Sequence, residues 1–181
     1  MPVESAADAP ALTIAKFDKA LHDRSAFSCG FGPIDNFLKS SLSEQIKAGM
    51  VAAWVATADD DPAVLGFYTL GAMAVRANLG PKKWQRAGIS DIPVIYIRAV
   101  AVHENSQGMG LGTALVIDAM KRCLQIAEQM GAAAITLDVL KDNHFERRWK
   151  FYAELGFQPL NDVDNPTRVF IPMADVRASL H

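Results

Sequence analysis

Scarcity narrows what this chain can do before any motif is considered. Cysteine occurs only at Cys29 and Cys123 among 181 residues. The second sits in an apolar helical stripe, so packing rather than a disulfide or a metal site is expected of the pair. Neither charge is in excess: 18 Lys and Arg stand against 20 Asp and Glu, for a net charge of -2. Nothing in the global balance therefore points to nucleic acid or an anionic membrane, although a local basic patch stays open. No apolar run reaches the length of a membrane span. Residues 1–10 are acidic and alanine-rich and lack the basic flank and apolar stretch of a leader. The expectation is a frayed tail over residues 1–11, one domain over residues 12–181, and a reducing cytoplasmic setting.

Apolar spacing lays out the elements. Residues 12–23 have a periodicity too weak to separate strand from short helix, and are read as a first strand. Pro33 suits a first helical position, with Ile34, Leu38, Leu42 and Ile46 on one face of a helix ending near Gly49. Residues 51–58 and 63–75 form a hairpin about the turn 59–62. The nearly continuous apolar stretch 94–102, broken at Arg98, predicts a central strand buried on both faces. From Thr113 a helix carries Val116, Met120, Cys123, Ala127 and Met130 as its stripe and ends at Gly131. A strand over 132–140, a helix with Phe145, Trp149 and Tyr152 on one face, strands at 157–160 and 167–173, and a terminal helix over 174–180 complete an α/β order with a mixed sheet.

Between that central strand and the next helix lies Gln107-Gly108-Met109-Gly110-Leu111-Gly112-Thr113. Glycine at every second position lets successive backbone N–H groups crowd around one anion, and a helix N-terminus adds more donors. A phosphate or pyrophosphate is the expected occupant. No lysine precedes the hydroxyl residue, as a Walker loop requires, and the third glycine of a dinucleotide fingerprint would fall on Leu115. The stretch instead resembles the Gln/Arg-x-x-Gly-x-Gly/Ala pyrophosphate loop of the GNAT family of N-acetyltransferases. Tyr152-Ala-Glu-Leu-Gly156-Phe157 resembles the Tyr-x-x-x-Gly-Phe element of the same family, about forty residues downstream.

The resemblance covers residues 94–160 and implies a GNAT-like, mostly antiparallel sheet with helices on both faces. It also implies acetyl-CoA as cofactor, and direct transfer of acetyl to a primary amine. It assigns the coenzyme to the backbone of Val100, Ala101 and Val102 and to the loop from Gln107 to Thr113, with no metal. Tyr152 would be the catalytic residue. A phenol of ordinary pKa about 10 is protonated at neutral pH and can donate to a departing thiolate. The family's asparagine seven positions before this tyrosine is replaced by Phe145. For a general base, His103, Glu104, Asp138 and Asp142 are near in sequence, and spacing does not choose among them.

Phe27-Ser-Cys-Gly30 followed by Ile34-Asp35-Asn-Phe37-Leu38 is similar to the opening of the acetyltransferase toxins of bacterial toxin–antitoxin pairs. That likeness implies aminoacyl-tRNA as acceptor and a ribbon-helix-helix antitoxin as partner; a homodimer is also open. The long segment 76–92 supplies Arg76, Lys82, Lys83 and Arg86 around Trp84 as a candidate tRNA surface, with Arg147 and Arg148 adding to it. Two other readings stand beside this one: an acetyltransferase acting on a small amine or a protein, and a non-catalytic acyl-CoA binding module.

Overall fold

A computed structural model describes residues 11–181; of the tail expected at residues 1–11, all but Ala11 lies outside the described residues. The elements follow the order read from the sequence. Strand β1 is Leu12–Lys16, and α1 (Gly32–Asn36) runs through a π-helical turn, Phe37–Ser41, into α2 (Leu42–Lys47). Strands β2 (Ala52–Ala58) and β3 (Gly66–Arg76) form the hairpin. After α3 (Lys82–Gln85) come β4 (Asp91–Val102), α4 (Leu111–Met130), β5 (Ala134–Asp138), α5 (Phe145–Glu154), β6 (Gln158–Pro159), β7 (Arg168–Pro172) and α6 (Met173–Ser179).

The strands lie in the order β1-β2-β3-β4-β5-β7-β6. The β1/β2, β5/β7 and β6/β7 pairs are antiparallel, and β4/β5 is parallel. The chain forms two compact units, one of residues up to Thr69 with Ala99–Val116, the other of Leu70–Arg98 with Ile117–His181. In the first, Phe27, Leu38, Leu42, Val55 and Phe67 build the core with Ala99 and Ala101. In the second, Trp84, Ile92, Val94, Leu160 and Phe170 do so. No helix among the described residues is long and apolar enough to cross a membrane.

Two expectations need correction. Strand β4 is not buried on both faces throughout: Ile97, Ala99 and Ala101 are buried, while Arg98 is exposed and Val100 and Val102 are only partly covered. Its register with β5 stops at Tyr96↔Thr136, so β4 runs on to Val102 without that neighbour. On α4, Val116, Met120 and Cys123 are buried as the stripe requires, but Met130 is 65% exposed because it is the last helical residue. Both cysteines are free thiols.

Candidate active site

The glycine loop is built by backbone conformation. Gly108 and Gly110 adopt φ of +78° and +84°, a region in which L side chains are strained. A Cβ at either would meet no heavy atom within 4 Å, so the requirement is conformational rather than steric. Gly112 differs from the expectation of three equivalent glycines. It lies in the first turn of α4 at an ordinary φ, and its Cβ would make only a 3.8 Å contact with Val102. The helix therefore starts two residues earlier than Thr113. Its first internal bond of this turn is Ala114 N–H to Gly110 O at 3.1 Å. The backbone N–H groups of Gly108, Met109, Gly110, Leu111, Gly112 and Thr113 have no hydrogen-bond partner among the described residues. Six consecutive free donors at the N-terminus of a 20-residue helix form an anion cradle, with the helix dipole reinforcing it. Gln107 behaves otherwise: its Nε2 donates to Cys29 O at 3.0 Å and Val102 O at 2.9 Å.

In the other unit, the Tyr-x-x-x-Gly-Phe element is a helix-ending Schellman motif. Gly156, at φ +98°, lets the chain reverse, Phe157 N–H donates to Tyr152 O at 3.0 Å, and Gly156 N–H donates to Ala153 O at 3.0 Å. The accompanying apolar contact is the Tyr152–Phe157 ring pair, with centroids 5.6 Å apart. Tyr152 thus packs on Phe157 and Phe151, while Phe145 pairs with Trp149. Tyr152 is 7% exposed. Burial pushes its phenol up to about 12, opposed by the nearby Arg148 charge. Its hydroxyl has no hydrogen-bond partner among the described residues. A neutral, uncommitted O–H is what a proton donor needs.

Most candidate bases are already engaged. Asp138 takes paired hydrogen bonds from Arg168 at 2.9 and 3.0 Å and one from Tyr96 OH at 2.9 Å. Arg168, which the sequence did not single out, is directly opposite Asp138 in the β5/β7 register, a relation visible only once that pairing is known. Asp142 is paired with Arg148, whose hydrogen bond holds the carboxyl below its ordinary value. His103 Nδ1 accepts the Ser28 N–H at 3.1 Å, which puts the ring proton on Nε2 and leaves no free lone pair. Glu104 is exposed and makes no side-chain hydrogen bond or ion pair among the described residues.

The basic segment holds one correction. Lys82, Lys83 and Arg86 are exposed and have no ion pair among the described residues. Trp84 between them is 4% exposed and lies against Phe170, with centroids 5.3 Å apart, so it cannot serve as a stacking surface for a base. A side chain on Gly80 would come within 2.1 Å of the indole, which is why that position is bare. Arg76 pairs with Asp91 at 3.3 Å on the surface and lines a groove of about 560 Å³ with Asn78, Gln85, Ile89 and Ser90. Arg147 is exposed, whereas Arg148 is the partner of Asp142.

Similarity to known proteins agrees with these features. The chain is 35% identical over 170 residues to the probable toxin TacT of Sinorhizobium fredii, covering 91% of this chain and 93% of that one. Among solved structures, AtaT complexed with acetyl-methionyl-tRNA superposes with a TM-score of 0.84 at 26% identity, covering 94% of this chain and 100% of that one. A variant of AtaT bound to the C-terminus of the antitoxin AtaR and to acetyl-CoA gives 0.78 at 26% identity, covering 93% and 98%. The sequence profile of the Acetyltransferase (GNAT) family matches residues 33–157, and with the geometry above this chain belongs to that family.

Proposed function

We propose that this protein transfers acetyl from acetyl-CoA to the amino group of an aminoacyl-tRNA. The observation that carries the reading is the run of six free N–H donors from Gly108 to Thr113 at the start of α4. These residues hold the pyrophosphate, while the backbone of Val100, Ala101 and Val102, beyond the β5 register, runs along the pantetheine arm. Acetyl-CoA, when bound, supplies an acetyl thioester. The chain's own part is to align the amine with that thioester, exclude water, and manage protons. As the nitrogen–carbon bond forms and the carbon–sulfur bond breaks, Tyr152 OH gives its proton to the departing sulfur and is reprotonated by solvent. His103, Asp138 and Asp142 are held by other partners, so the attacking nitrogen loses its proton to water or to Glu104, the candidate base left unengaged.

The acceptor is supported by the kinship with tRNA-bound AtaT and by the unpaired cations Lys82, Lys83 and Arg86, to which the proposed surface adds the exposed Arg76 and Arg147. Local positive charge suffices for phosphate contacts despite the net charge of -2. A ribbon-helix-helix antitoxin, a homodimeric state and a cytoplasmic location complete the reading. Mass spectrometry after incubation with acetyl-CoA and separate pools of aminoacyl-tRNA, peptides and polyamines tests it. Acetylated aminoacyl-tRNA is expected. Acetylation of a polyamine or peptide alone would replace the tRNA reading with a plain amine acetyltransferase, and coenzyme binding with no product in any pool would make this a binding module.

A further inference from the structure

The Phe27-Ser-Cys-Gly30 stretch takes no part in that chemistry, yet it is fastened to the beginning of the coenzyme loop by three contacts. Ser28 N–H donates to His103 Nδ1 at 3.1 Å. Glu104 N–H donates to Ser28 O at 2.8 Å. Gln107 Nε2 reaches Cys29 O at 3.0 Å while holding Val102 O, at the end of β4, at 2.9 Å. The turn is itself fixed from the other side, because Asp35 Oδ1 accepts the Cys29 N–H at 2.8 Å and ties it to α1. Phe27, 2% exposed, seats it against Phe67 and the His103 ring at 5.6 and 5.9 Å. Gly30 closes it at φ +91°, where a Cβ would press within 3.3 Å of Glu104 Oε1.

The donor inventory of Gln107 decides its role. A side-chain amide has two N–H bonds, and both point at carbonyls here; its backbone N–H is used on Glu104 O at 3.3 Å. What remains is an acceptor oxygen, which repels a phosphate. We infer that the turn Ser28-Cys29-Gly30 braces the coenzyme loop, and that Gln107 and His103 are positioning residues that fasten loop to turn and so hold the six free donors in place. The toxin-like motif at the beginning of the chain thereby becomes part of the coenzyme machinery some seventy-five residues away, the separation of Ser28 from His103. This deepens the proposed function and rests on the reading that the loop holds the pyrophosphate.

The test pairs amide hydrogen exchange of the coenzyme-free protein with calorimetry of acetyl-CoA. Gln107→Leu should speed exchange at residues 28–30 and weaken acetyl-CoA about five- to thirtyfold, the loss of two hydrogen bonds of ordinary net strength. Gln107→Glu keeps the size of the side chain but cannot donate, and should do the same if the leucine variant folds poorly. Gln107→Arg, which restores donors for both carbonyls, and His103→Asn, whose Oδ1 can accept the Ser28 N–H, should stay near the parent in both readings; His103→Ala should not. Weaker acetyl-CoA binding with unchanged exchange at 28–30 would make Gln107 a direct phosphate ligand and overturn the brace. Faster exchange with unchanged affinity would overturn it as well. Failure of the proposed function shows separately, as wild-type protein that binds no acetyl-CoA.

Discussion

The glycine loop of residues 107–113 and the basic segment of residues 76–91 are both proposed to meet phosphate, and they are built in opposite ways. The loop uses main-chain donors, fixed by two left-handed glycines and the first turn of a long helix. Its positive potential comes from partial charges fixed in the main chain, and none of residues 107–113 is itself cationic. The segment uses full charges on flexible stems, Lys82 and Lys83 in a four-residue helix and Arg86 just after it, with Trp84 of the same helix buried. A site of the first kind suits one small anion in one orientation, with little entropy left to lose. The second suits a long polyanion whose exact seating matters less, and its strength depends on salt.

The largest effect is expected at neither of them. Tyr152→Phe should lower kcat by about 10²–10⁴-fold and leave acetyl-CoA binding nearly intact, because only the proton donor is lost. Its pH signature follows from the raised phenol. With the group at about 12, the donor is fully present below pH 10 and is lost only as pH rises through its own pKa, so the wild-type kcat profile should show no falling limb from Tyr152 below about pH 11. A falling limb near pH 9 that disappears in the variant would contradict the burial described here. Parent-level turnover in Tyr152→Phe would reduce the residue to packing.

Next in size is the test of the main-chain site. Gly110→Asp puts a side chain at φ +84° and a carboxylate beside the cradle. Strain of about 1–2 kcal/mol and the repulsion of an anion at a helix N-terminus together should weaken acetyl-CoA by roughly a hundredfold. Unchanged affinity by calorimetry would remove the loop from the site and the comparison with it.

The difference between the regions also explains what could be read without coordinates. A backbone-built site leaves its mark in spacing: glycines at 108 and 110, and the Gly156-Phe157 pair that ends α5, are dictated by local conformation, so the sequence carries them directly. The order of strands and helices was legible for the same reason, since periodicity is local. Side-chain sites depend on partners far along the chain. Trp84 looked like an aromatic among cations, and only the packing of Phe170, eighty-six residues later, turns it inward. Asp138 looked available until the β5/β7 register brought Arg168 opposite it. Gly112 shares the alternate spacing of its neighbours yet stands in the first turn of α4, and spacing alone does not separate a loop glycine from a helical one at a helix start.

Trp84→Ala sharpens the contrast further. Loss of a buried indole costs about 3–5 kcal/mol, so chemical denaturation should report a large destabilisation, with the short helix that carries the cations coming loose. If the variant were as stable as the parent but bound tRNA poorly, Trp84 would be a stacking surface after all, and the segment would be recognising bases rather than backbone.

The smallest change, and the most diagnostic of the segment's chemistry, is expected from replacing Lys82, Lys83 and Arg86 together with alanine. All three side chains are exposed, so stability should barely move. Acetyl-CoA binding should also hold, because the cradle takes no charge from them. What should change is the dependence of tRNA acetylation on salt: each phosphate contact removed lowers the slope of log K against log salt by about 1, so the triple variant should be shallower by about 3. Affinities measured for both proteins between low and moderate salt would give the two slopes. Equal slopes would mean that these cations stand outside the tRNA footprint, and the polyanion surface would have to be sought elsewhere, with the exposed Arg147 as the next position to replace.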